Sequence, residues 1–393
     1  MSPGLRGTTS ALWSRLRVGE LGVLPIAAGL VLLWAVLAAF EPAFLSADNL
    51  VNLTQQSVVV GVLALGVVLT MHIGQIDLSV GALSGLAAAL VAVGTVQVGW
   101  PLWLAVLLAV LTGAVVGLGY GLVCTFLGVP AIVFTLAGLL AVTGLQLRVL
   151  GPTGSVNLPF ESWLVELCQT TYLLPVTAWT LVVLVVAGYA GALVLDRVRR
   201  DRADLPVPSA ARAAGKVTAL AVVLAVSVAY LGTNRGVGAL FALFVALVAV
   251  CDLLLRRTRW GRHVRAAGGD VTAARRAGVP VDRVRVSVFV ACSTLAALAG
   301  VVAAGRLAAA NQATGSAEVT LFAIAAAVIG GTSLFGGRGS AWSALVGALV
   351  VQSIANGLVL INLDPSARFV VTGVVLAAAV TIDALMRRAR ETA

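Results

Sequence analysis

The sequence predicts an all-α polytopic integral membrane protein of about 10–12 transmembrane helices, some broken by glycine, with both termini cytoplasmic. Three observations predict it. Hydrophobic residues make up 60% of the 393 and charged residues only 11%, whereas a soluble domain carries about 25% charged residues. Apolar runs long enough to cross a bilayer recur along the chain. Finally, the basic residues gather into a few clusters, and such clusters mark cytoplasmic loops. With a mean hydropathy of +1.05, the outer surface of this molecule must be lipid.

The chain divides into a cytoplasmic segment over 1–20, one transmembrane domain over 21–386 and a cytoplasmic tail over 387–393. Arg6, Arg15 and Arg17 precede the first span, and Leu21–Phe40 holds 20 apolar or small residues. At ~1.5 Å per residue that crosses the ~30 Å hydrocarbon core. It lacks a small-residue cleavage site, so it reads as a permanent helix and not as a signal peptide. Further spans are expected at 58–73, 80–97, 102–126, 131–149, 173–195, 217–231, 238–255, 286–305, 320–335, 341–362 and 367–386. Six basic residues lie in 196–216, nine arginines in 256–285 and three in 386–390. Twelve crossings put both termini and both long basic loops on one side; segments 58–73, 217–231 and 320–335 are short, so ten or eleven full crossings remain open. The net charge of +10 therefore sets topology and is not a nucleic-acid footprint. Cys124, Cys168, Cys251 and Cys292 form no CxxC pair and read as small packing residues. Gly113, Gly117 and Gly121 have the spacing of close helix packing.

The stretch MHIGQIDLSVGALSG, Met71–Gly85, interrupts this pattern by placing Gln75, Asp77 and Ser79 among glycines. Broken helices at membrane depth survive only where protein or a water-filled cavity covers them, and in carriers they flag transport sites. The competing reading is a turn at the cytoplasmic surface, with Asp77 capping a helix that starts near Val80. An unpartnered carboxylate at the bilayer centre costs ~3 kcal/mol. Ungapped alignment of Ile73–Ser84 with Ile329–Ser340 matches five of twelve residues, which raises an internal repeat. The second window contains Thr332 and Ser333.

The longest basic loop holds a punctuated helix. Asp270 is a good N-cap, Val271–Ala277 suit a short helix carrying Arg275 and Arg276, Gly278 suits C′, and Pro280 prevents continuation. Its alternatives are a helix lying on anionic headgroups and a docking helix for a cytosolic partner.

GQIDLSVG, GRHVRAAGGDVTAARRAGVPVDRVRV and AIAAAVIGGTSLFGGRGS together resemble the sugar permeases of ATP-binding-cassette importers of the ribose, xylose and galactose class. The resemblance runs from about Leu45 to Asp383. Extra spans around the basic loop 196–216 look like the xylose-type branch. Gln75 departs from the Gly or Glu common in the family. The resemblance implies a passive gate built from two permease copies, driven by a separate ATPase pair that holds the ATP and Mg. It implies that the helix Asp270–Gly278, with Val271, Arg275 and Arg276, seats in the ATPase. It also implies an extracytoplasmic sugar-binding protein at the outer mouth, where Gly151–Trp163 and Asn311–Glu318 offer polar and acidic groups.

The residues themselves carry no engine or hydrolytic centre. A phosphate-binding GxxxxGK[ST] loop needs Lys followed by Ser or Thr, and the only lysine, Lys216, precedes Val217. His72 and His263 lack HExxH spacing, and GxSxG is absent. The pathway candidates are Gln75, Asp77, Ser79, Thr332, Ser333, Gln352 and Asn356. Gln352 and Asn356 share a helix face four residues apart, and interhelical hydrogen bonding is their alternative role. An ion-coupled carrier, the rival class, would need coupling carboxylates at depth, and only Asp77 qualifies.

Overall fold

A computed structural model describes residues 24–374 except Pro208 and Pro365, together with Ala377 and Thr381. The expected segments 1–20 and 387–393 and most of the span 367–386 lie outside the described residues; 366–374 is helical.

The chain opens with α1 (Leu24–Phe40), a short 3-10 turn (Pro42–Leu45), α2 (Ala47–His72), α3 (Val80–Val96), α4 (Leu102–Phe126) and α5 (Ala131–Leu150). A three-residue strand β1 (Ser155–Asn157) and α6 (Trp163–Gln169) lead to α7 (Pro175–Asp201), α8 (Ala210–Leu231) and α9 (Ala239–Arg257). Two short helices follow, α10 (Arg259–Gly269) and α11 (Val271–Arg276), then α12 (Val281–Leu307), β2 (Ala309–Asn311), α13 (Ala317–Ile329) and α14 (Ala341–Leu360). Eight of the described helices are long and apolar enough to cross a membrane; α1, α3 and α13 are apolar but shorter.

Helix α12 is the central post, packed against α2, α3 and α4. Its approach to α4 depends on the glycine row. A Cβ on Gly113 would stand 2.6 Å from the Ala297 Cβ, one on Gly117 2.6 Å from the Phe289 carbonyl oxygen, and one on Gly121 2.8 Å from the Val286 Cα. The glycine spacing is thus a packing seam. Since α12 begins beside α11 and ends at β2, the bundle has a basic end and a strand end. At the strand end β1 pairs antiparallel with β2, Val156 opposite Ala310, a small exception to the all-α expectation.

Several boundaries move from the expected ones, each for a physical reason. Helix α2 begins at Ala47 and not near 58, capped by Ser46, whose hydroxyl accepts from the Asn49 N–H at 3.3 Å. Its polar first turns depress hydropathy, but Asn49 and Gln55 are buried against protein. Helix α8 starts at Ala210, inside the expected basic loop 196–216, with Ser209 accepting from the Arg212 N–H. Helix α12 starts at Val281 and not 286, because Val281 and Val284 are buried although Arg283 and Arg285 flank them. The span expected at 320–335 is a helix of only 13 residues followed by a non-helical loop. The loop 256–285 holds two helices and not one. Finally, α7 and α8 pair with each other at the edge of the bundle, and almost all of their apolar side chains are left uncovered by the described residues.

Candidate functional site

The break after α2 lies toward the basic end, against the end of α10, with Gly74 exposed and Asp77 buried. Gly66 of α2 packs on Cys292, the twelfth residue of the 27 in α12, so α2 runs only a turn or two further before ending at His72. Gly74 adopts φ +69°, a left-handed conformation that glycine takes at no steric cost. The chain then climbs back, and the Asp77 carboxylate lies within electrostatic reach of Tyr120, Cys124 and Cys292. Asp77 is 0% exposed. Its Oδ1 accepts from the Ser79 N–H at 2.8 Å and the Ser79 hydroxyl at 2.7 Å, while Oδ2 has no partner among the described residues. Asp77 therefore closes a turn just ahead of α3, whose N-cap is Ser79, and is enclosed by protein. The Leu78 N–H donates to Thr135 Oγ1 of α5 at 3.0 Å.

A second break faces it. After β2 the chain dips inward, and buried Gln146 donates to the carbonyls of Asn311 and Thr314 at 3.0 and 2.8 Å. Non-helical backbone at depth must be satisfied in this way. The starts of α3 and α13 then meet: the Gly81 N–H donates to Thr320 Oγ1 at 3.0 Å, and the Gly315 and Ser316 carbonyls lie against Gly81. Two helices of 17 and 13 residues, each too short for the ~30 Å core, thus point their N-termini at a common level. Such a meeting of half-helices builds transport sites in carriers.

The loop after α13 carries Thr332 and Ser333. Thr332 is buried beside Gly339 and the His72 ring, its hydroxyl without a partner among the described residues. Ser333 turns the loop, accepting at Oγ from the Phe335 N–H at 3.3 Å. The ungapped match with Ile73–Ser84 does not equate structural positions. Gly74 has positive φ whereas its counterpart Gly330 does not, and Ser84 lies inside α3 whereas Ser340 caps α14.

Gln352 and Asn356 belong to a different place, the seam between α14 and α2. Gln352 Nε2 donates to Gln56 Oε1 at 3.1 Å, and Asn49 Nδ2 donates to Asn356 Oδ1 at 2.9 Å. Trp34 Nε1 of α1 reaches Ser353 Oγ at 2.9 Å in the same seam. The structure therefore gathers Asp77 and Ser79 at one level and Thr332 near His72, and strings Gln352 and Asn356 toward the strand end. Gln75 is half-buried within the break. A cavity of about 420 Å³ between α4 and α5 borders Tyr120, but its walls, including Val116, Val123 and Phe134, are apolar. It offers a sugar almost nothing to hydrogen-bond.

At the basic end, Asp270 closes α10 and opens α11, its Oδ1 accepting from the Thr272 and Ala273 N–H groups at 2.7 and 3.0 Å. Gly278 adopts φ +79° after the α11 C-cap Ala277. Arg275 pairs with Asp282 at 2.7 Å, and Arg276 is exposed. The helix is one residue shorter than expected and otherwise where its punctuation put it.

A family model described as "Branched-chain amino acid transport system / permease component" matches residues 49–380. The chain belongs to this permease family. The xylose transport system permease protein XylH of Escherichia coli K12 is 32% identical over 348 residues, 88% of each chain. The Haemophilus influenzae XylH is 33% identical over 355 residues, 89% of this chain and 93% of its own. The ribose import permease protein RbsC of Escherichia coli K12 is 28% identical over 356 residues, 90% and 91%. No solved structure matches. The three-motif resemblance thus falls in the right family, nearer the xylose than the ribose relatives.

Within this permease, sequence reasoning missed Tyr120, Thr135 and Thr320, which complete the break. It also missed Asn49 and Gln56, which complete the seam. Asn49 and Gln56 stand seven apart, a helical spacing legible in principle but hidden below the hydropathy threshold. Thr320 and Tyr120 carry no local signal at all.

Proposed function

We propose that the chain is the membrane-pathway subunit of an ATP-driven importer, carrying a monosaccharide, with xylose or another pentose as cargo. The observation that carries this reading is the match to xylose permeases along 88% of the chain. On this reading the basic end faces the cytosol, as the arginine clusters require. Helix α11, exposed and capped on both sides, is the seat of a separate ATPase that supplies ATP and Mg. The strand end, with exposed Glu161 and Glu166, receives an extracytoplasmic sugar-binding protein. Two copies form the pore in the cell membrane. Gln75, Asp77, Ser79, Thr332, Ser333, Gln352 and Asn356 are its candidate lining, and neutral donors and acceptors suit an uncharged sugar. Asp77 is enclosed by protein in this structure, so its Oδ2 meets cargo only when the break opens.

That same free oxygen is the feature favouring a second reading, an ion-coupled carrier. Vesicles decide between them. The permease with its ATPase, binding protein and ATP accumulates xylose, whereas the lone polypeptide accumulates nothing under an ion gradient. Concentrative loading by the lone chain overturns the importer reading. Growth of a deletion strain on single sugars identifies the cargo.

A further inference from the structure

Helix α10 ends in two adjacent glycines with opposite surroundings. A Cβ on Gly268 would strike the His72 carbonyl oxygen and stand 3.0 Å from the Gly337 amide nitrogen, whereas one on Gly269 would meet nothing within 4 Å among the described residues. The His72 carbonyl also accepts the Gly337 N–H at 3.1 Å. A Cβ on Gly336, at φ +93°, would stand 2.9 Å from the Gly268 carbonyl oxygen and 3.1 Å from the Gly74 amide nitrogen. Three backbones therefore cross at one point with no side chain between them: the end of α10, the last turn of α2 before its break, and the loop between α13 and α14. Side-chain contacts can absorb a displacement by changing rotamer, but close-packed backbone has no such slack.

Helix α10 is held as a unit. Val264 and Ala267 are buried, Trp260 Nε1 donates to Ser287 Oγ of α12 at 2.8 Å, and Thr258 Oγ1 accepts the Gly261 N–H at 3.1 Å. Asp270 joins it directly to α11, so the docking helix and the crossing point are two ends of one short arm. The far side of the crossing leads, within a few residues, to Gln75 and Asp77 on one strand and to Thr332 on the other.

Resting on the importer reading, we infer that Gly268 is a positioning residue, the pivot through which a partner seated on α11 moves the α2–α3 break and the α13–α14 loop together. It touches no cargo. Its role is to let the arm approach closely enough that α11 and both loops shift as one body.

The test uses the assembled importer in vesicles with D-xylose as probe, and compares Gly268→Ala, Gly337→Ala and Gly269→Ala. In Gly268→Ala, xylose moved per ATP consumed falls about tenfold, within the 5–150-fold span of typical coupling. The ATPase still co-purifies and keeps its basal rate, and loaded binding protein no longer stimulates hydrolysis. Gly337→Ala behaves likewise, because its φ of +74° and its approach to the Gly268 oxygen disturb the same crossing. It decides the matter if Gly268→Ala fails to reach the membrane. Gly269→Ala transports as the wild type does. Retained coupling in Gly337→Ala, or in a membrane-inserted Gly268→Ala, overturns the pivot, and so does equal damage in Gly269→Ala.

A readout without sugar separates this from the functional reading. Maleimide labelling of Gln75→Cys changes when ATPase and ATP are added, and this response vanishes when Gly268→Ala is combined with it. If labelling responds but the wild type moves no xylose, the cargo assignment fails and the pivot stands. If labelling does not respond in the wild-type background, the pivot falls.

Discussion

Asp77 shows how a carboxylate persists in an apolar bundle: one oxygen takes two donors from Ser79 and the other is walled in by protein. Leaving buried donors unpaired costs about 1–3 kcal/mol each, so Asp77→Leu should lower the melting temperature in detergent and cut xylose uptake while the chain still inserts. Asp77→Asn keeps an acceptor for Ser79 and should melt close to the wild type. Equal melting of the Leu and Asn variants would refute this turn-closing role. On α4, Gly117→Ala should destabilise, because its Cβ would sit 2.6 Å from the Phe289 carbonyl oxygen. Gly119→Ala, which meets nothing, should be neutral or stabilising by up to about 1 kcal/mol through helix propensity. Thermal unfolding of the pair checks the contrast. The spacing of Gly113, Gly117 and Gly121 was readable as packing because four-residue periodicity is a local property. Their partner, α12, was not readable, since it comes more than 160 residues later.

Helix α11 was placed almost to the residue by its punctuation, since Asp, Gly and Pro impose backbone choices that need no tertiary context. Its neighbour α10 escaped notice for the opposite reason. Gly261, Gly268 and Gly269 weaken it as an isolated helix, and only the burial of Val264 and Ala267 beneath it makes it form. The half-helices α3 and α13 were legible as broken hydrophobic runs, but not the fact that their N-termini meet. Arg276→Glu should reach the membrane and lose uptake, because this exposed side chain has only a docking role on the importer reading. Arg275→Glu additionally sets a carboxylate against Asp282, whose oxygen now lies 2.7 Å from the guanidinium, and should also loosen the elbow. Undiminished uptake in Arg276→Glu removes α11 from the ATPase interface.

For the whole molecule, the fold class followed from hydropathy because the bilayer imposes one dominant constraint, whereas the starts of α2, α8 and α12 did not. Of the seam, Gln352 and Asn356 were legible on one face of a span, but their partners Gln56 and Asn49 were not, because the polar first turns of α2 read as loop beside its apolar remainder. Replacing Gln352 with Leu should cost about 0.6 kcal/mol if its bond to Gln56 is typical of interhelical hydrogen bonds. A much larger loss of uptake than of stability would place Gln352 on the pathway.

The α7–α8 pair leaves and rejoins the bundle at adjacent points, and α8 also touches the bundle where the Tyr230 hydroxyl donates to the Leu45 carbonyl at 2.7 Å. Tyr172 and Gly238 form a β-bridge, the Leu173 N–H donates to the Val237 carbonyl at 2.9 Å, and the Ala239 N–H donates to the Thr171 carbonyl at 2.9 Å. The polypeptide thus returns to its point of departure before continuing into α9. In genetic terms the pair has the form of a cassette, a detachable excursion whose splice points already sit side by side, so a shorter relative could arise by excision without re-routing any other helix.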